Sequence, residues 1–258
     1  MKTVTALLTL LAAAPACAQD EFVGARLREW YARLNGDVFA QEEGLPAQTV
    51  DLDSELGLGD AEFAHELQAY LRLPVIGIFT LGGWTTGYKG DEVLSETFTF
   101  GDVTFTAGTQ VKTELELSVV YLNYEYDFSF SLGELVKLEV GPLVGVRWMF
   151  ARTSIESSLV SAEEEGSGGL PVVGVHSALQ ITRWLRADAE VLGLAFQAAE
   201  RGAFYIEAYG EVVAQLGPLF AGVGYKYAQL EIEDHSTSVE FEADITMDGI
   251  YLTAGVRF

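Results

Sequence analysis

The run from Val136 to Phe150 constrains this chain more than any other part of it. One face carries Val136, Leu138, Val140, Pro142, Val144, Val146, Trp148 and Phe150. The other carries Lys137, Glu139, Gly141, Leu143, Gly145, Arg147 and Met149. Successive strand side chains point to opposite faces, so this is one strand with an apolar face and a mixed one. It is far longer than the usual ~5–6 residues of a soluble strand. Such a face can be buried against a second sheet or against lipid, and one strand alone does not choose.

The pattern recurs along the chain. Leu67, Ala69, Leu71 and Leu73 alternate with Glu66, Gln68, Tyr70 and Arg72. Val173, Val175, Leu179 and Ile181 stand opposite Gly174, His176, Ala178 and Gln180. Similar alternation runs through 113–119, 185–191, 204–212 and 219–227. Together these predict about ten strands, near 22–34, 62–73, 75–88, 110–127, 134–152, 170–182, 184–197, 203–216, 218–233 and 245–258. The first is poorly patterned, and eight or twelve strands stay open. Connections alternate between short ones (73–74, 127–133, 182–183, 216–218) and long acidic or polar ones (35–61, 89–109, 153–169, 234–244), with 198–202 as the exception. A chain that starts on the periplasmic side then has every tight turn on that side, and an even strand count returns the C-terminus there. The stretch "FTFGDVTF" reads as a hairpin rising above the membrane.

Composition narrows the alternatives. The 258 residues carry 15 Lys+Arg against 38 Asp+Glu, a net charge of −23. So negative a chain has no basic surface for phosphates, which excludes nucleic acid as a partner. Residues 1–18 read as a secretory signal peptide: Lys2, an apolar run from Val4 to Ala14, then the small-residue site Ala16-Cys17-Ala18. Removing them takes away Lys2 alone among charged residues, which gives −24 (14 minus 38). The single cysteine, Cys17, leaves with that segment, so no disulfide, thiol nucleophile or cysteine metal site is expected in the mature 19–258. A rival reading makes Cys17 a lipid attachment site, although Ala14-Pro15-Ala16 lacks the usual leucine before it. After the signal no stretch reaches the ~18 apolar residues of a membrane-spanning helix. The strands point instead to an all-β fold, a closed antiparallel transmembrane β-barrel. Lipid offers no hydrogen bonds, so a sheet within it must close. A soluble sandwich would reverse the faces and remains the alternative.

The chain ends in "GIYLTAGVRF", with Ile250, Leu252, Ala254, Val256 and Phe258 on one face. With the signal peptide and the alternating strands, this resembles bacterial outer-membrane β-barrel proteins, in architecture those of the small OmpA/OmpX/OmpW-like type. The resemblance implies an outer-membrane location. It also implies that Ile250, Leu252, Ala254, Val256 and Phe258 form the C-terminal signal read by the barrel assembly machinery. It names no activity.

Motifs for chemistry are sparse. Barrel lipases place His and Ser two residues apart on one face, whereas His176-Ser177 are adjacent and point to opposite faces. His176 reads as a lumen histidine among polar neighbours. His65 and His235 read as solvated rim residues beside acids. The acids of "DLDSELGLGD" (Asp51, Asp53, Glu55, Asp60) lack EF-hand spacing, and with Glu163-Glu164-Glu165 they read as solvated acidic surface. Weak binding of divalent cations there would bridge the protein to anionic lipopolysaccharide. The inward charges Lys137, Glu139, Arg147, Arg186, Asp188, Glu190, Glu207, Glu211, Lys226 and Arg257 mix both signs. In so narrow a barrel they would pair and plug the lumen, while Gly141, Gly145, Gly174, Gly222 and Gly224 on the same face could open a narrow cavity. The expectation is a non-enzymatic outer-membrane barrel without catalytic, metal or cofactor residues. Acidic loops face outside, and outer-membrane lipid and lipopolysaccharide are its partners. The alternatives are a narrow channel for small or apolar solutes and, third, a barrel enzyme acting on lipid or peptide.

Overall fold

The computed structural model describes residues 22–42, 48–101, 103–132, 136–198, 201–234 and 239–258. The long strands are β1 (Val23–Glu42), β2 (Glu62–Leu73), β3 (Gly77–Val93), β4 (Gln110–Glu125) and β5 (Lys137–Ser157). They continue with β6 (Ser161–Gln180), β7 (Leu185–Ala198), β8 (Arg201–Leu216), β9 (Leu219–Asp234) and β10 (Val239–Arg257). Each pairs antiparallel with the next, and β1 pairs with β10 from Gly24↔Arg257 to Glu42↔Val239, so a ten-stranded barrel closes. Closure removes the free edge that lipid cannot satisfy. Two short strands lean on this wall. Gln48–Asp51 pairs with β1, and Phe128–Ser131 continues the line of β4 along β5 in unchanged register. The hairpin Phe98–Phe100/Val103–Phe105 forms a sheet of its own.

The connections 74–76, 181–184 and 217–218 lie at one end with Val23 and Arg257, which we name the terminal end; the other is the loop end. Several strands rise higher than their patterning suggests. β1 runs on to Glu42 and β3 to Val93, and residues 153–169, read as a long loop, are mostly two paired strands that turn between Ser157 and Ser161. Above the lipid the outward residues no longer need to be apolar, so the alternation used to find the strands fades while the pairing continues.

In the lower barrel the faces are opposite to those of a soluble protein. Leu252 is 66 % exposed on the outside, whereas Lys226 is 1 % exposed within. Leu67, Leu81, Val144, Val173, Val212 and Val223 join the outer belt. Aromatic pairs such as Tyr31–Phe63 and Phe79–Tyr124, both at 5.2 Å between ring centroids, stand along it.

The inward glycines do not open a cavity, because neighbouring strands fill the space they leave. A Cβ on Gly141 would lie 2.5 Å from Asp127 Oδ1, and one on Gly224 would lie 2.4 Å from the Tyr251 ring. Gly145 makes room for Asn123 and Gly174 for Leu192, while the backbone of Val212 crowds Gly222.

Candidate functional site

The lumen divides into two storeys built by different side chains. In the lower one, inward residues of nearly every strand are charged. Arg28 (β1) reaches Glu66 on β2 at 3.3 Å and Glu211 on β8 at 3.6 Å, and lies 4.2 Å from the ring centroid of Tyr209. Arg26 meets Glu211 at 2.9 Å. Lys226 (β9) lies between Glu66 at 3.2 Å and Glu207 at 3.5 Å, with the Trp30 ring 5.0 Å away. Arg147 (β5) reaches Glu207 at 3.4 Å and donates to Asn123 Oδ1 at 2.6 Å. Tyrosines share the same carboxylate oxygens: Tyr121 donates to Glu66 at 2.6 Å, Tyr205 to Glu207 at 2.5 Å and Tyr251 to Glu211 at 3.0 Å. These cations are sealed from water, so only close carboxylates and ring faces offset the cost of their desolvation.

Nearer the terminal end a second group forms. Glu139 is shared by Lys137 at 2.8 Å, Arg186 at 3.3 Å and Arg72 at 3.8 Å, and Arg186 also holds Asp188 at 2.8 Å. Arg257 lies 4.3 Å from the ring of Phe220, and Glu190 is buried beside Tyr209 in the β7–β8 ladder. Thus the structure brings Lys137, Glu139, Arg186 and Asp188 together in the lower group, and Arg147, Glu207, Glu211 and Lys226 together in the middle one. His176 enters the lower group through Glu125, 2.5 Å away, with Asp127 and Asp188 close by. Glu125, Asp127 and His176 place one ligand atom each within 4.8 Å of one another, the geometry of a metal seat. Ser177 points away from them and donates to Ala189 O.

The upper storey is apolar. Trp30 and Trp84 meet edge to face at 6.0 Å, with Leu34, Tyr88, Val111, Leu115, Ile155 and Met247 around them. Leu52, Leu56 and Leu58 of the acidic stretch fold into this core, and Phe98 and Phe105 of the separate hairpin close over it. The stretch is therefore a plug with an acidic outer side, not simply a solvated surface. Asp51 shapes its turn: Oδ1 accepts from the Ser54 amide at 2.6 Å, the Ser54 hydroxyl at 2.9 Å and the Asp53 amide at 3.0 Å. These bonds, the Ser54 amide foremost, hold the Asp51 carboxyl below the usual carboxylate range. A Cβ on Gly90 would fall 1.7 Å from Leu56 O, so the plug rests on bare backbone of β3.

Outside the barrel, His65 stands on the wall, one outward position below Phe63, rather than at the rim, and pairs with Glu29 at 2.6 Å. In the same cross-strand row Thr85 and Ser118 share a hydrogen bond of 2.9 Å. A recess of about 390 Å³ beside them is lined by Ser118, Phe150, Arg152 and Glu165. Arg152 meets Glu163 at 2.6 Å and Glu165 at 3.5 Å. The C-terminal residues Ile250, Leu252 and Ala254 face outward on β10. His235 and residues 1–18 lie outside the described residues.

Apolar residues outside and sealed ion pairs inside a closed sheet are the arrangement only a lipid solvent favours. The chain is a transmembrane β-barrel of the outer-membrane type. No family model matches it, and no curated protein is similar to it in sequence. Among solved structures it is similar to the translocator domain of the autotransporter NalP from Neisseria meningitidis. The identity is 11 %, over 100 % of this chain and 95 % of that one, with a TM-score of 0.46. The outer membrane protease OmpT from Escherichia coli gives 11 %, 95 %, 100 % and 0.42 for the same measures. Ail, the attachment invasion locus protein of Yersinia pestis, gives 12 %, 93 %, 100 % and 0.30. Likenesses this loose carry no argument about role, and the fold rests on the strand pairing and the two faces.

Proposed function

We propose that the protein is a sealed, non-enzymatic barrel of the outer membrane, with a structural or surface-interaction role in the cell envelope. The observation that supports this is the two-storey filling of the lumen, an ion-pair layer below an apolar plug. A solute path would have to break both. In this reading the acidic loop end faces outside and meets lipopolysaccharide, partly through weakly held divalent cations. The outward residues of β10 are then read by the assembly machinery. Purified protein in a planar bilayer should show no steady conductance steps. Neither should a variant with Leu52, Leu56 and Leu58 changed to serine, because the charged storey still blocks the path. Steady steps from the unmodified protein would replace this reading with the narrow channel.

A further inference from the structure

We propose that Glu125, Asp127 and His176 form a binding site for one divalent transition-metal cation of the zinc kind at the terminal end of the lumen. The three residues come from strands that are not neighbours. Glu125 ends β4, and Asp127 follows two residues later on the same inward face. His176 sits on β6, beyond β5. The acids reach it because β5 carries Gly141 opposite both Asp127 and His176, and any Cβ there would strike Asp127 Oδ1 at 2.5 Å.

Four features point to a cation. The ligand atoms lie within 4.8 Å of one another, so small side-chain adjustments bring each to the ~2.0–2.2 Å of a zinc bond. Asp127 supplies an oxygen with nothing else to do: its side chain is 3 % exposed, Oδ2 is held by Arg72 at 3.3 Å, and Oδ1 is buried without a hydrogen-bond partner. Oδ1 lies 3.8 Å from His176 Nδ1, on the side where Glu125 Oε1 also approaches. Finally, the far nitrogen Nε2 faces Asp188 Oδ1 at 3.6 Å, and Arg186 fixes Asp188 at 2.8 Å. A carboxylate behind a ligating imidazole sets its tautomer and raises its basicity, the usual support of a metal-bound histidine.

In this arrangement the cation replaces the proton that now joins His176 Nδ1 to Glu125. Water from the terminal end completes the coordination, for the nearby Arg72 and Lys137 side chains are 28 % and 44 % exposed. One nitrogen and two carboxylates suit a borderline cation better than Ca²⁺, which takes six to eight oxygens.

The test uses the full barrel in detergent, stripped with chelator and equilibrated with Zn²⁺ or, separately, with Ca²⁺. The expected result is one Zn²⁺ retained per barrel, a rise in unfolding temperature with Zn²⁺ alone, and both effects lost in Asp127→Asn and His176→Gln. Asp188→Asn should weaken Zn²⁺ binding about 10–100-fold without abolishing it. His65→Gln should bind as the unmodified protein does. Should Asp127→Asn or His176→Gln fail to fold, Glu125→Gln gives the same readout. Absence of retained Zn²⁺ in the unmodified protein, equal retention by Asp127→Asn, or equal stabilisation by Ca²⁺ would each overturn the proposal. In that event the cluster is an imidazolium held among carboxylates.

Discussion

The lower and upper halves of this barrel share the same strands and reverse their colouring. On β1 the outward residues below are Val23, Ala25 and Leu27, with Arg26 and Arg28 inside; above, Arg33 points outward while Trp30, Ala32 and Leu34 are buried. On β4 the outward Val120 and Leu122 below give way to Lys112, Glu114 and Glu116 above, while Val111 and Leu115 turn inward. The backbone pairing does not change across that boundary; the solvent outside does. Each half buries the side chains its surroundings reject, and the two interiors differ in how they respond to damage.

The charged half should be the more brittle. Lys226→Met leaves Glu66 and Glu207 short of a partner inside the wall, and removal of one partner from a buried pair costs about 3–5 kcal/mol. Urea unfolding in lipid vesicles measures this, and adding Glu66→Gln to Lys226→Met should recover much of the loss. If the double variant is no better than the single one, charge balance does not govern that storey. In the apolar half, Leu34→Ala creates a cavity and should cost about 2–5 kcal/mol by the same assay. No second-site charge change should rescue it. The outer wall supplies a third contrast: Leu67→Arg, in the lipid belt, should cost about 2–4 kcal/mol. An outward change above the belt, Lys112→Leu, should stay within about 0.5 kcal/mol of the unmodified protein.

The smallest effect concerns the plug and pH. The Asp51 carboxyl has a lowered pKa when folded, so its contribution is complete above the unfolded value of about 3.9 and disappears as pH falls through the folded one. The amides of Asp53 and Ser54 should therefore lose hydrogen-exchange protection, corrected for intrinsic rates, in acid and not at neutral pH. Asp51→Asn should leave them weakly protected at both. Protection of Asp53 and Ser54 that stays level as pH is lowered until the Asp51 carboxyl is protonated would show that the leucines alone seat the turn.

The same reversal explains what could be read from the chain. β5 is legible because its outward residues run apolar from Leu138 to Phe150, and the lower part of β10 because Ile250, Leu252, Ala254 and Val256 do the same. β1 looked poorly patterned because its alternation changes phase between Leu27 and Trp30, and a search for one apolar face averages the two halves away. Leu52, Leu56 and Leu58 sit in a stretch of aspartates and glycines, where spacing gives no hint that three leucines enter a lumen. The acid–histidine cluster was hidden for another reason. Glu125 and His176 are 51 positions apart, and only the register of β4, β5 and β6 brings them together, with Asp127 and His176 on either side of Gly141. The inward glycines suggest empty space in the sequence, but side chains such as Tyr251 and Asp127, or the backbone of the next strand at Gly222, occupy it.

The seam between β1 and β10 has a consequence for the order of assembly. Phe22 and Val23 both donate their amides to Phe258 O, and Phe258 N returns to Val23 O. The first and last strands thus complete one another, whereas every other pairing joins strands adjacent in sequence. A chain still lacking β10 has eight of its ladders, all within local reach, and two raw edges; the hairpin from β9 to β10 moves one of them outward, and no local step covers the edge of β1. Growth strand by strand therefore gains hydrogen bonds steadily and gains closure all at once. The kinetic bottleneck falls on the longest-range contact in the molecule, and a helper that held β10 until β1 arrived would act on the slowest step.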